Sequence, residues 1–177
     1  DYTGPFGPLG PALETGQRAF WLWANQSGGI GDYSVAIVEG YDTQYNPQKH
    51  LEGYKAQRGE VAALAMSLGT PQTQFILDDM DADNMIAAPM SWYSGWSYKE
   101  SDRGLVVEFG AAYCADGMNA VDWALTNLPV DIKTIGIMGF AGDYGGDYAA
   151  GVKAAAAANG LTVAWEYVVP SPEFDVS

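Results

Sequence analysis

The chain predicts an α/β fold, and three observations carry that prediction. Short apolar runs of strand length alternate with segments of helical periodicity along the sequence. Two of these runs, V-A-I-V at 35–38 and I-G-I-M-G-F at 135–140, lack polar alternation, as strands covered on both faces do. Turn-forming residues mark the transitions: Gly28-Gly29, Asn46-Pro47, Gly69-Thr70-Pro71 and Asn159-Gly160. Together they indicate a mainly parallel sheet flanked by helices.

The elements follow in order. Glycines and prolines between Gly4 and Pro11 enforce an opening loop. Leu13, Gly16, Phe20, Trp23 and Ala24 share one face of a helix from about 11 to 24, and glycine near 29 caps it. Tyr33 to Val38 reads as a buried strand. Asn46-Pro47 opens a second helix to about Arg58, because proline at its first position lacks only an N–H that would go unpaired. Val61 to Met66 reads as either a helix end or a strand, and Gly69-Thr70-Pro71 precedes a helix to about Asp79. Met85 to Ala88 is a short strand, residues 90 to 103 form an aromatic loop, and Leu105 to Phe109 is strand-like. A helix spans 110 to 127, a strand 134 to 140, an alanine-rich helix 145 to 158 and a final strand 161 to 169.

Composition narrows the function. The chain has 177 residues, 48% of them apolar and 17% charged, which is a globular balance. Its formal net charge of -14 disfavours nucleic acid and anionic membrane surfaces as partners. The single cysteine, Cys114, forms no internal disulfide and reads as a small buried hydrophobe. No apolar run reaches the ~20 residues that span a bilayer. The abrupt ends, D-Y-T-G-P-F-G-P and E-F-D-V-S, read as positions inside a longer protein.

Catalytic patterns are missing. Neither a G-x-S-x-G elbow nor a lysine-bearing phosphate loop occurs, and Gly139, Gly142 and Gly145 miss the dinucleotide spacing. Asp79, Asp81 and Asp83 begin like a calcium loop, but Asn84 and Met90 stand where glycine and a bidentate glutamate belong. His50, flanked by Lys49 and Glu52, reads as a surface residue. No catalytic residue, metal or cofactor is expected.

Three loops after strands carry groups suited to a ligand. Thr70, in G-T-P-Q-T, offers a hydroxyl at a helix start for a carboxylate, or serves only as a helix cap. Ser91 and Trp92 lie in the loop from Pro89 to Trp96, whose rings line a pocket, stack on a ligand or pack between lobes. Tyr144, ahead of Gly145-Gly146, supplies a hydroxyl and a ring face, while Asp143 or Asp147 caps the following helix.

The order and spacing of these words resemble the type I periplasmic binding proteins of the branched-chain amino acid class, the solute-binding components of ABC importers. T-G-P-F-G-P-L-G resembles that family's first ligand loop, and N-Q-S-G-G-I-G its first helix end. Asp42 with Asn46-Pro47, G-T-P-Q-T, Tyr144-Gly145 and E-F-D-V-S resemble its later motifs. The resemblance covers essentially the whole chain. It implies parallel sheets flanked by helices in two lobes: residues 1–129 as an N-terminal lobe without its first strand, and residues 130–177 as the start of an incomplete second lobe. It further implies that Thr70 binds a ligand carboxylate, that Ser91 and Trp92 lie in the next ligand loop, that Tyr144 closes over the ligand and that Leu9 lines the pocket. Pro71 and Trp92 differ from the smaller residues usual in amino acid binders, so the ligand class stays open.

The function so implied is an extracytoplasmic solute-binding protein that captures a small polar molecule, an amino acid or a related amide or carboxylate, and delivers it to permease subunits. Membrane contact would come only through the permease or a lipid anchor. The alternatives are a ligand-sensing domain of a receptor or regulator with the same fold, and an α/β enzyme whose catalytic groups lie elsewhere.

Overall fold

Asn46 begins the second helix as its sequence predicts: its side chain accepts the Lys49 N–H at 3.1 Å, and Pro47 follows at the first helical position. In the computed structural model, which describes residues 1–169, that helix is α2 (Pro47–Gln57), preceded by α1 (Gly10–Gln26). Then come β1 (Leu64–Leu68), α3 (Thr70–Phe75), α4 (Leu77–Asp83), β2 (Ala87–Met90), a 3-10 turn (Ser94–Ser97) and α5 (Lys99–Asp102). The order closes with α6 (Tyr113–Asn127), β3 (Thr134–Phe140), α7 (Asp143–Ala158) and β4 (Thr162–Val169). These elements form two compact units, one from Asp1 to Pro89 and one beginning at Met90. Within the second of these, α6 packs against α7. The E-F-D-V-S motif lies outside the described residues.

In the first unit β1 pairs with β2, so the run near Val61 resolves as a strand rather than a helix end. The expected strand at Tyr33 to Val38 does not form. Among the described residues Tyr33 makes only an isolated bridge with Ile30, and the backbone after it finds side chains instead of a neighbouring strand. Asn25 exchanges two hydrogen bonds with Val35 (2.7 and 2.9 Å). Arg18 donates to the carbonyls of Ile37 and Val38, and Gln57 to that of Glu39. An apolar run satisfies the composition of a strand, but its polar backbone takes whichever partners the fold offers. Leu105 to Phe109 likewise lies outside both sheets. In α1, Phe20 and Trp23 are exposed, so the apolar face is not buried; Gln17 ties the helix to the Ala65 carbonyl at 2.7 Å.

The second unit follows the sequence closely. β3 and β4 pair in parallel from Thr134↔Thr162 to Phe140↔Val169, with one irregularity after Ile135. α7 supplies the crossover. Val121, Ile137, Ala149, Val152 and Ala155 form its core. Alanines and glycines let α6 and α7 approach closely. A Cβ on Gly151 would fall 1.9 Å from the Cys114 carbonyl oxygen, and one on Gly117 would fall 2.4 Å from that of Tyr148.

Gly151→Ala should therefore destabilise the full-length protein by about 1–3 kcal/mol, as overpacking against backbone does. Gly146, on the same helix, has open space around its Cα. Gly146→Ala should stabilise by about 0.5–1 kcal/mol through helix propensity. Urea unfolding of the two variants measures the difference; equal midpoints would contradict the close helix contact.

Candidate functional site

The first candidate loop follows β1. Gly69 turns the chain with φ 102°, a left-handed conformation that favours glycine, and a Cβ there would meet Gln72 Oε1 at 2.1 Å. Gly69, not Thr70, is the helix cap, so Thr70 opens α3 as its first residue and is buried. Beneath the loop runs a chain of hydroxyls. Thr73 Oγ1 donates to the Gly69 carbonyl at 2.9 Å and lies 2.7 Å from Ser67 Oγ, which lies 2.9 Å from His50 Nε2. With Thr73 donating to Gly69, Ser67 must donate to Thr73 and His50 must donate from Nε2.

His50 is therefore half-buried against Ser67 rather than a free surface residue. Lys49 and Glu52 flank it in sequence, but α2 turns it inward beside buried Gly53 and Tyr54. Burial lowers its pKa to about 4. The aspartates after it form no calcium loop: Asp79 and Asp83 pair with Lys55 and Arg58, and Tyr54 donates to Asp83 at 2.7 Å. No metal-ligating cluster occurs among the described residues. Leu9 lies in this unit, half exposed at the start of α1.

The second candidate site belongs to the second unit, where Ser91, Trp92 and Tyr144 are joined by a residue that sequence reasoning missed. Tyr113, the first residue of α6, packs edge-on to Tyr144 at 4.9 Å and to Trp92 at 6.1 Å. Phe109 lies edge-on to Trp92 at 5.3 Å. The Tyr113 N–H donates to the Trp92 carbonyl at 2.7 Å. Burial raises the pKa of its phenol, and hydrogen bonds from the Trp92 backbone and Ser91 oppose that rise. Ser91 is buried, and its Oγ accepts the Trp96 indole N–H at 3.0 Å.

Asp147 caps no helix. Its Oδ2 accepts the Ser94 N–H at 2.8 Å and its Oδ1 accepts the Ser94 hydroxyl at 2.5 Å. No sequence signal points to that pair, whose members lie on separate elements. The arrangement offers ring faces and edges, with hydroxyls beside them: a surface for an apolar body carrying a polar group. A larger groove, about 510 Å³, runs between α6 and β3, lined by Leu125, Val130, Ile135 and Ile137. It carries no charged side chain and does not include the loops named above.

Comparison with known proteins agrees with this fold. The family profile described as periplasmic binding protein matches residues 1–177. A fatty acid ABC transporter substrate-binding protein from Thermomonospora curvata superposes with TM-score 0.83 at 28% identity, over 99% of this chain and 44% of that one. A branched chain amino acid ABC transporter protein from Thermus thermophilus, with bound valine, gives TM-score 0.79 at 14% identity, over 98% and 45%. A solute binding protein from Rhodopseudomonas palustris BisB5, in complex with 3,4-dihydroxy benzoic acid, gives 0.78 at 18% identity, over 98% and 47%. The chain thus spans less than half the length of these structures. No curated protein matches it.

The His50 environment yields a pH dependence. Its pKa is about 4 folded and 6.5 unfolded, so the unfolded chain binds the extra proton between those values. Stability from this residue is complete above pH 6.5 and is lost as pH falls toward 4, by about 3 kcal/mol in total. Unfolding free energies measured from pH 7 to pH 4 should show this fall, and His50→Gln should flatten it. An equally steep fall in the variant would place the titration elsewhere.

Proposed function

Because the chain belongs to the periplasmic binding protein family, we propose that it is the solute-binding component of an ABC importer, held outside the cytoplasm, which passes a small organic ligand to permease subunits. The observation that carries the reading is the Ser91–Trp92 loop, set by Tyr113 against the ring of Tyr144 with hydroxyls alongside. Phe109 and Tyr144 keep 56% and 53% of their surface exposed, so they retain ring surface for a ligand to bury.

The ligand in this reading is a carboxylate on an apolar body, with amino acids and amides as neighbouring possibilities. Its support is the aromatic character of the loop, together with the fatty acid, valine and 3,4-dihydroxy benzoic acid named for the similar structures. Within the second unit Ser91 would make a polar contact, and Trp92 and Tyr144 would cover the apolar body. Capture requires no bond to be made or broken, so the protein is not an enzyme in this reading. No helix among the described residues is long and apolar enough to cross a membrane.

Calorimetric titration of the full-length protein with valine, benzoate and octanoate tests this. At least one should bind and raise the unfolding temperature by mass action. Trp92→Ala and Tyr144→Ala should each weaken that ligand about tenfold, which corresponds to roughly 1.4 kcal/mol. Undiminished affinity in both variants would refute the site, and turnover of any of the three would favour an enzyme.

A further inference from the structure

We propose that Asp147 is a positioning residue that clamps the 91–98 loop and so sets Trp92 against Tyr113 and Tyr144. The inference rests on the reading of Ser91 and Trp92 as ligand contacts. Asp147 lies one helical turn after Tyr144, so both project from the same side of α7. Its two carboxylate oxygens are both engaged by Ser94, one by the backbone N–H and one by the hydroxyl, at 2.8 and 2.5 Å. Hydrogen bonds to an ionised carboxylate are roughly twice as strong as neutral ones, and two on one residue fix orientation as well as distance.

Ser94 lies two residues after Trp92 and opens a turn closed on itself. Trp96 N–H donates to the Tyr93 carbonyl, Tyr98 N–H to the Gly95 carbonyl, and the Trp96 indole to Ser91. A displacement of Ser94 therefore carries Ser91 with it. On the other side Tyr113 N–H holds the Trp92 carbonyl. Two helices thus hold the loop, α6 through a backbone hydrogen bond and α7 through a side-chain carboxylate, and the Ser97 hydroxyl adds a tether to Glu108 at 3.0 Å. Of the two helical tethers, only the second can be removed by substitution without altering a ring of the site.

The test compares Asp147→Ala, Asp147→Asn and Ser94→Ala in the full-length protein by amide hydrogen exchange and by titration with valine, benzoate and octanoate. Amides of residues 91–98 should exchange about tenfold faster in Asp147→Ala and less than that in Ser94→Ala, while the β3 amides stay as protected as in the wild type. Asp147→Asn keeps one acceptor oxygen and should restore part of the protection. The probe that binds the wild type should bind Asp147→Ala about tenfold more weakly, with Asp147→Asn between them. Unchanged exchange at 91–98, equal acceleration in β3, or undiminished affinity despite faster loop exchange would each overturn the proposal. If the wild type binds none of the probes, the ligand reading fails, and the exchange comparison still decides whether Asp147 holds the loop.

Discussion

The close approach of α6 and α7 is the constraint on which the second unit depends. At Gly117 and Gly151 each helix nearly touches the other's backbone, and a single methyl group at either position would meet a carbonyl oxygen. The two helices run side by side, with Tyr113 against Tyr144 at their starts and Asp122 accepting from Asn159 toward their ends. This contact brings the two tyrosines within ring-packing distance. Tyr113 then hands the position on, through its N–H, to Trp92. A backbone contact about one helical turn from the two rings thereby sets the spacing of the aromatic cluster.

The first unit solves its positioning problem with polar groups. The loop after β1 is tied from below by the relay from His50 through Ser67 and Thr73 to the Gly69 carbonyl. Gln72, almost wholly buried, donates to the Tyr45 carbonyl at 2.7 Å and links the same loop to the start of α2. Such hydrogen bonds restrict the loop's geometry, although His50 Nδ1 and Gln72 Oε1 are buried without a partner. They also make the unit sensitive to protonation, since a charged imidazole in this position would have to be desolvated.

Those two modes explain what the sequence disclosed. β3, α7 and β4 were legible because apolar runs, alanine content and the Asn159-Gly160 stop act locally. The helix start at Asn46-Pro47 was legible for the same reason. Tyr33 to Val38 was not, because a strand exists only beside another strand, and here Asn25, Arg18 and Gln57 occupy its backbone. The inward face of His50 was hidden because helical spacing gives a period without saying which side meets the core. The loops bearing Thr70, Ser91 and Tyr144 were visible from their places after strands. Their supports were not: Tyr113 and Asp147 act on residues far along the chain, at positions that only packing brings near.

The energetics of the aromatic site limit what it can do alone. An aromatic side chain buries about 150–250 Å² when covered, so a half-exposed ring leaves roughly 100 Å² for a ligand to cover. At about 25 cal/mol per Å² that is roughly 2.5 kcal/mol per ring, or about 5 kcal/mol for Phe109 and Tyr144 together. Association itself costs at least about 4 kcal/mol in lost freedom. Apolar burial on these two rings therefore brings a ligand only to the edge of binding. In the reading proposed above, affinity would come from polar contacts that need no reorganisation, such as one to the Ser91 hydroxyl, which Trp96 already orients. A loop free to wander would have to be ordered by a ligand at a further entropic cost, and in that reading the tethers from α6 and α7 would remove the cost in advance.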